Sequence, residues 1–193
     1  MIISPLLVLQ LNEKHDLVSN LSEREAKNPE GAGLDLRVAT VEKITGKSFL
    51  GVEKRSSPET MLIGDIKRDG NKIVTLKPGE YFLVTTMETV YSPKEKIDIG
   101  YGFPPVSLMP LVFPRTSLQR GGISLLRTKT DPGYKGPLTF GLRNLGEYDF
   151  DFELGARMFN LVFEVVLGEI NRPYSGQHQG GRVTSSGKTE IQT

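Results

Sequence analysis

Three short segments of the 193-residue chain carry side chains suited to chemistry. The first is Pro114-Arg115-Thr116-Ser117-Leu118-Gln119-Arg120, which follows directly on the apolar stretch ending at Phe113. If a short helix starts here with Thr116 or Ser117 as its cap, free backbone N–H groups, two hydroxyls and two guanidinium groups converge into a phosphate site. A helical turn with its arginines in water is the plainer account of the same residues. The second segment is Asp131-Pro132-Gly133-Tyr134-Lys135-Gly136. Asp-Pro-Gly is ordinary turn chemistry, and becomes functional only if Asp131 faces a cleft as a general base and Tyr134 offers its flat face to a sugar or base. The third is the Gly-rich C-terminal stretch, where Gln177, Gln179, Arg182 and Lys188 could grip phosphates or base edges if the segment orders over a ligand. Composition alone makes it a disordered end.

These segments need a scaffold, and the pattern between them is one of strands. Apolar and acidic residues alternate from Asp149 to Leu154, as in a strand with one buried face. Lys72–Leu76, Tyr81–Thr86, Val106–Phe113, Leu138–Leu142 and Leu161–Val166 are rich in β-branched and aromatic residues. Turn signals separate them at Asp69-Gly70-Asn71, Lys77-Pro78-Gly79, Asp131-Pro132-Gly133, Asn144-Leu145-Gly146 and Leu154-Gly155. With 21 Gly and 12 Pro, many short strands predict an all-β sandwich, jelly roll or barrel with few helices. One short helix is expected after the Ser22…Glu25 capping box. Residues 51–70 read as a surface excursion or ragged hairpin, and 172–193 as a tail that is mobile when alone. His15 and His178, two isolated histidines, read as surface residues.

Composition narrows the function. Lys and Arg total 24 against 23 Asp and Glu, so no single-sign field marks a nucleic-acid or acidic-membrane binder, and any anion site is local. The absence of cysteine excludes disulfides and a zinc-deaminase plan built on Cys ligands. The apolar run Ile2–Leu11, interrupted by Pro5, lacks a basic leader and a cleavage site, which points to a cytoplasmic protein rather than a secreted or membrane-bound one.

Taken in order, the segments resemble the motifs of the dCTP deaminase and dUTPase family. Gly31-Ala32-Gly33-Leu34-Asp35-Leu36 is similar to the first motif, Arg115 to Arg120 to the second and phosphate-binding one, and Asp131 to Gly136 to the third. Gly155-Ala156-Arg157-Met158-Phe159-Asn160-Leu161 resembles the fourth, with Asn160 where glutamine is usual, and the Gly-rich tail the fifth. Leu76 to Leu83 and Thr86 to Val90 resemble the strand pair before the active site. No one of these is specific; five in order are.

The resemblance implies a distorted jelly-roll domain over residues 1–171, assembled as a homotrimer with sites where subunits meet, closed by the tail 172–193. It implies a deoxynucleoside triphosphate substrate, with Mg²⁺ bound through the triphosphate rather than in a protein metal cage. Asp131 would be catalytic, deprotonating a water that attacks the α-phosphorus. Arg115, Thr116, Ser117, Arg120, Tyr134, Gly141, Asn160, Tyr174, Gln179 and Arg182 would bind substrate. Family deaminases carry a proton-shuttling glutamate on the strand after the third motif; here its place is taken by Gly141. That departure favours a dUTP diphosphatase, with a dCTP deaminase, a bifunctional enzyme and an inactive nucleotide binder as the alternatives. The link from Arg115 to Asp131, which in the family reads the pyrimidine, is short, and Gly181 stands where the deaminase branch has a glutamine.

Overall fold

A computed structural model describes residues 1–192, and Thr193 of the tail lies outside the described residues. In chain order the elements are β1 (Ile2–Ile3), α1 (Pro5–His15), β2 (Val18–Ser19), α2 (Glu23–Lys27), β3 (Leu34–Ile44), β4 (Phe49–Leu50) and β5 (Lys54–Ser56). There follow β6 (Thr60–Asp65), α3 (Ile66–Asp69), β7 (Ile73–Leu76), β8 (Tyr81–Tyr91), β9 (Ser107–Pro114) and α4 (Thr116–Arg120). The last are β10 (Ile123–Leu126), β11 (Lys135–Asn144), β12 (Phe150–Glu153), β13 (Arg157–Val166) and β14 (Glu190–Ile191). This is the expected all-β plan with short helices. The main sheet runs β1-β13-β3-β8-β11-β10, with β9 on β13, β6 on β3 and β2 on β8. Every pairing is antiparallel.

The sheet folds back on itself around one core. Phe140 of β11 meets Phe159 of β13 with ring centroids 4.9 Å apart. β13 is the strand everything leans on: Phe159, Asn160 and Leu161 pair with Leu36, Asp35 and Leu34 on one side and with Pro114, Phe113 and Val112 on the other. Met158, Phe159, Leu161, Val162 and Phe163 are buried on both of its faces, so it reads as a near-continuous apolar run rather than an alternating one. The alternating segment lies at the periphery, where β12 pairs with β7 in a two-stranded sheet; Phe152 and Leu154 are buried while Asp151 and Glu153 face solvent.

Two local features depart from the sequence expectations, and two meet them. The apolar N-terminal run is a helix, because Pro5 sits in its first turn, where a missing N–H costs nothing, and Ser4 Oγ accepts from Leu7 N at 3.3 Å. Its buried residues, Pro5, Val8 and Leu11, share one face. In α2 the expected cap is present, Ser22 Oγ accepting from Glu25 N at 3.4 Å. In α4 it is not: Arg115, not Thr116 or Ser117, is the N-cap. Arg115 N still donates to Met158 O at 3.0 Å while its carbonyl already accepts from Leu118 N, so the helix begins before either hydroxyl reaches the cap position. Residues 51–70 hold β5, β6 and α3, in keeping with the ragged-hairpin reading, and β4, β5 and β14 make a small three-stranded sheet. No helix among the described residues is long and apolar enough to cross a membrane.

Candidate active site

The third-motif turn is pinned from two sides. Tyr134 N donates to Asp131 O at 3.1 Å, closing the turn, and Gly133 N donates to Ser92 O at 2.7 Å. Gly133 has φ +104°, and a Cβ there would sit 2.7 Å from the Tyr174 carbonyl oxygen, so only glycine lets the tail pass this close. Tyr174 N donates to Pro132 O at 2.7 Å, and the Gln179 amide bridges Gly133 O (2.8 Å) and Lys135 N (3.1 Å). Polar contacts along residues 172–192 thus do what their lack of apolar residues leaves undone.

Beside the turn lies a cavity of about 300 Å³ lined by Asp131, Tyr134, Leu138, Tyr174, His178 and Arg182, and by Thr128, Lys129 and Thr130 of the loop before Asp131. Tyr134 and Tyr174 meet edge to face, centroids 5.9 Å apart. Burial pushes the Tyr134 phenol up to about 12, with Tyr174 adding to the shift, and its hydroxyl donates to Pro137 O. Tyr134 is thus both core residue and cavity wall. The Asp131 carboxylate is partly exposed and ion-paired with Lys129. His178, expected at the surface, lines the cavity instead. Its Nδ1 lies 2.9 Å from Arg182 O, which can only accept, so Nδ1 carries the proton.

A second concavity, about 290 Å³, is lined by Asp35, Phe113, Pro114, Arg115, Thr116, Ser117 and Asn160. The β3–β13–β9 register brings these together. Asp35, buried, pairs with Arg115 Nε at 3.1 Å and Arg157 Nη1 at 3.2 Å, and accepts from Asn160 Nδ2 at 3.1 Å. Glu25, also buried, accepts from Asp35 N at 3.0 Å and pairs with Arg24 and Arg157. Three guanidinium groups, of Arg24, Arg115 and Arg157, are matched by the carboxylates of Glu25, Glu30 and Asp35, and Arg115 lies next to the exposed hydroxyls of Thr116 and Ser117. Glycine is required at 33, where a Cβ would fall 2.2 Å from Asn160 Oδ1. Sequence reading quoted Asp35 and Arg157 within motifs but gave them no task; their pairing needs the strand register, which no local pattern encodes.

The two concavities share no lining residue. Asp131, Tyr134, Tyr174 and Arg182 gather in one, and Arg115, Thr116, Ser117 and Asn160 in the other. Three expected positions line neither. Arg120 is exposed at the end of α4, Gln179 is spent on backbone contacts, and Gly141 is covered by Tyr81. A Cβ at Gly141 would lie 2.2 Å from the Tyr81 hydroxyl oxygen. The short link before Asp131 forms a hairpin arm of only four residues, Ile123↔Asn144 to Leu126↔Gly141, before leaving the sheet to wall the cavity.

Comparison with known proteins identifies the family and the fold. The dCTP deaminase-like family matches residues 7–166. A probable deoxyuridine 5′-triphosphate nucleotidohydrolase of Methanothermobacter thermautotrophicus is 33% identical over 77% of this chain and 85% of its own. A dCTP deaminase of Thermococcus kodakarensis is 30% identical over 88% of each chain. The crystal structure of 2′-deoxycytidine 5′-triphosphate deaminase from Agrobacterium tumefaciens shares the fold, with TM-score 0.60 and 17% identity over 86% of this chain and 48% of that one. With ordered motifs, fold and relatives in agreement, the chain belongs to the dCTP deaminase-like family.

Proposed function

We propose that this protein hydrolyses dUTP to dUMP and pyrophosphate in a homotrimer, each site joining the Asp131 cavity of one subunit to the Arg115 concavity of the next. Asp131 accepts a proton from the attacking water, and the Arg115, Thr116 and Ser117 groups hold phosphate charge through charge-assisted hydrogen bonds. Mg²⁺ carried on the triphosphate would neutralise its oxygens; among the described residues no cluster of three His, Cys, Asp or Glu offers a separate cage. The exposed Lys129–Asp131 pair is weakly held, so the carboxylate is free to turn toward water. Tyr134 would pack against the deoxyribose and leave no room for a 2′-hydroxyl.

The observation that carries this reading over deamination is Gly141. Position 141 has no acid, and the Tyr81 hydroxyl and ring occupy the space any side chain there would need. Deamination of dCTP is the second reading, favoured by the similarity to dCTP deaminases. Incubation of the pure protein with dUTP, dCTP, dTTP and UTP plus Mg²⁺, followed by ion-exchange chromatography, separates the two. The expected product is dUMP from dUTP; dUTP appearing from dCTP overturns the assignment.

A further inference from the structure

The far end of the tail is fastened to a hairpin that takes no part in either concavity. β14 pairs with β5 at Glu190↔Arg55 and Ile191↔Lys54, and Gln192 N donates to Glu53 O at 2.8 Å. Upstream, Ser185 and Ser57 exchange hydrogen bonds: Ser185 N to Ser57 Oγ at 2.6 Å, and Ser57 N to Ser185 Oγ at 2.9 Å. Gly187 N donates to Ser57 O at 3.0 Å. Thr184 and Ser185 are buried there. Between this fastening and the contact at Pro132, the chain carries Tyr174, His178 and Arg182 past the Asp131 cavity.

Arg182 is the group the fastening orients. Its Nε donates to Thr184 O at 3.0 Å and its Nη1 pairs with Glu190 Oε1 at 2.5 Å, so both partners belong to the fastened segment. A guanidinium has more donors than these two contacts use, and the remainder are available to an anion in the cavity that Arg182 lines. Glu190 itself is half-buried on β14, in register with Arg55 of β5.

We propose that Glu190 is a positioning residue: the β5–β14 pairing holds it, it aims the Arg182 guanidinium into the cavity, and the tail is in place before a nucleotide arrives. A segment ordered in advance does not subtract its ordering entropy from binding. The inference rests on the cavity being the nucleotide site, and its test has one arm that does not.

That arm is amide hydrogen exchange of the full chain without nucleotide. Slow exchange at Ser185, Gly187 and Gln192 is expected, and exchange at the rate of an unfolded chain overturns the fastening. The second arm is calorimetric binding of a non-hydrolysable dUTP analogue, and of dCTP, to wild type, Glu190→Ala, Glu190→Asp, Arg182→Ala and the Glu190→Ala/Arg182→Ala double variant. Glu190→Ala is expected to weaken binding about tenfold, with Glu190→Asp recovering part of it, as loss of a braced charge-assisted contact predicts. The double variant should bind no more weakly than Arg182→Ala alone, because Glu190 acts through Arg182. Wild-type affinity in Glu190→Ala, or additive losses in the double variant, overturns the positioning role. Wild-type protein that binds neither nucleotide overturns the proposed function, while the exchange arm still decides the fastening.

Discussion

Around Arg115 every charged group is braced by another, whereas around Asp131 the carboxylate's ion-pair partner is a lysine on the same exposed loop. The first region is built from strand register: β3, β13 and β9 bring Asp35, Asn160 and Arg115 side by side, and buried Glu25 closes the set. The second is built from a turn, a loop and a tail that cross one another through backbone hydrogen bonds and glycine contacts. The difference suits different tasks. A group that holds phosphate gains from being fixed in advance, since it need not reorganise as charge develops. A group that takes a proton from water must be reachable and free of a strong competing partner.

The largest effect expected from this contrast is at Asp131. Asp131→Asn keeps size and most hydrogen bonds but removes the base, so turnover of dUTP should fall by on the order of a hundredfold or more. Binding of a non-hydrolysable dUTP analogue should change far less. Arg115→Ala should instead weaken binding and turnover together, because its contact is made in ground and transition states alike. Turnover that survives Asp131→Asn would return Asp131-Pro132-Gly133 to the status of a plain turn.

The separation of the two concavities predicts complementation. Asp131→Asn and Arg115→Ala subunits, inactive alone, should regain activity when unfolded together and refolded in equal amounts. Random assembly of a trimer with sites between neighbours gives about a quarter of the wild-type sites intact. Activity no higher than either variant alone would place both concavities' work within one chain. Light scattering on the wild type at micromolar concentration checks the trimer directly.

A smaller effect should come from loosening the braced region without touching phosphate. Asp35→Asn removes the charge shared by Arg115 and Arg157 and should cost about 2 kcal/mol of stability by denaturant unfolding, the range for a hydrogen bond to a charged group. It should also raise KM for dUTP with kcat little changed. Equal effects of Asp131→Asn and Asp35→Asn on stability would erase the contrast, since the exposed Lys129–Asp131 pair should contribute almost nothing.

The smallest effect lies at high pH. Burial raises the Tyr134 phenol to about 12, so its contribution to stability is whole below the ordinary tyrosine value of about 10 and is lost as pH rises through about 12. Burial raises the Tyr81 phenol as well, so a phenolate absorbance titration should show late ionisation at both tyrosines, of which Tyr134→Phe removes the Tyr134 step. A Tyr134 that ionises with the exposed tyrosines would mean the cavity wall is open to water.

Much of this molecule was legible along the chain. Period-two alternation marked β12, β-branched runs marked the cores of β7, β8, β9, β11 and β13, and Ser22 with Glu25 marked α2, because each of these signals is local. The ordered motifs carried the family, and Gly141 flagged the missing acid. Tertiary structure decided what depends on distant partners. Pro5 looked like an interruption until the chain placed it in the first turn of a helix. Asp35 and Arg115, 80 positions apart, become an ion pair only through pairing of β3 and β9 with the same strand. Glu190 meets Arg182 only because β14 finds β5. A residue's type and spacing state what chemistry is available to it; which charges face each other is set by strand register, and register is settled by the whole core at once.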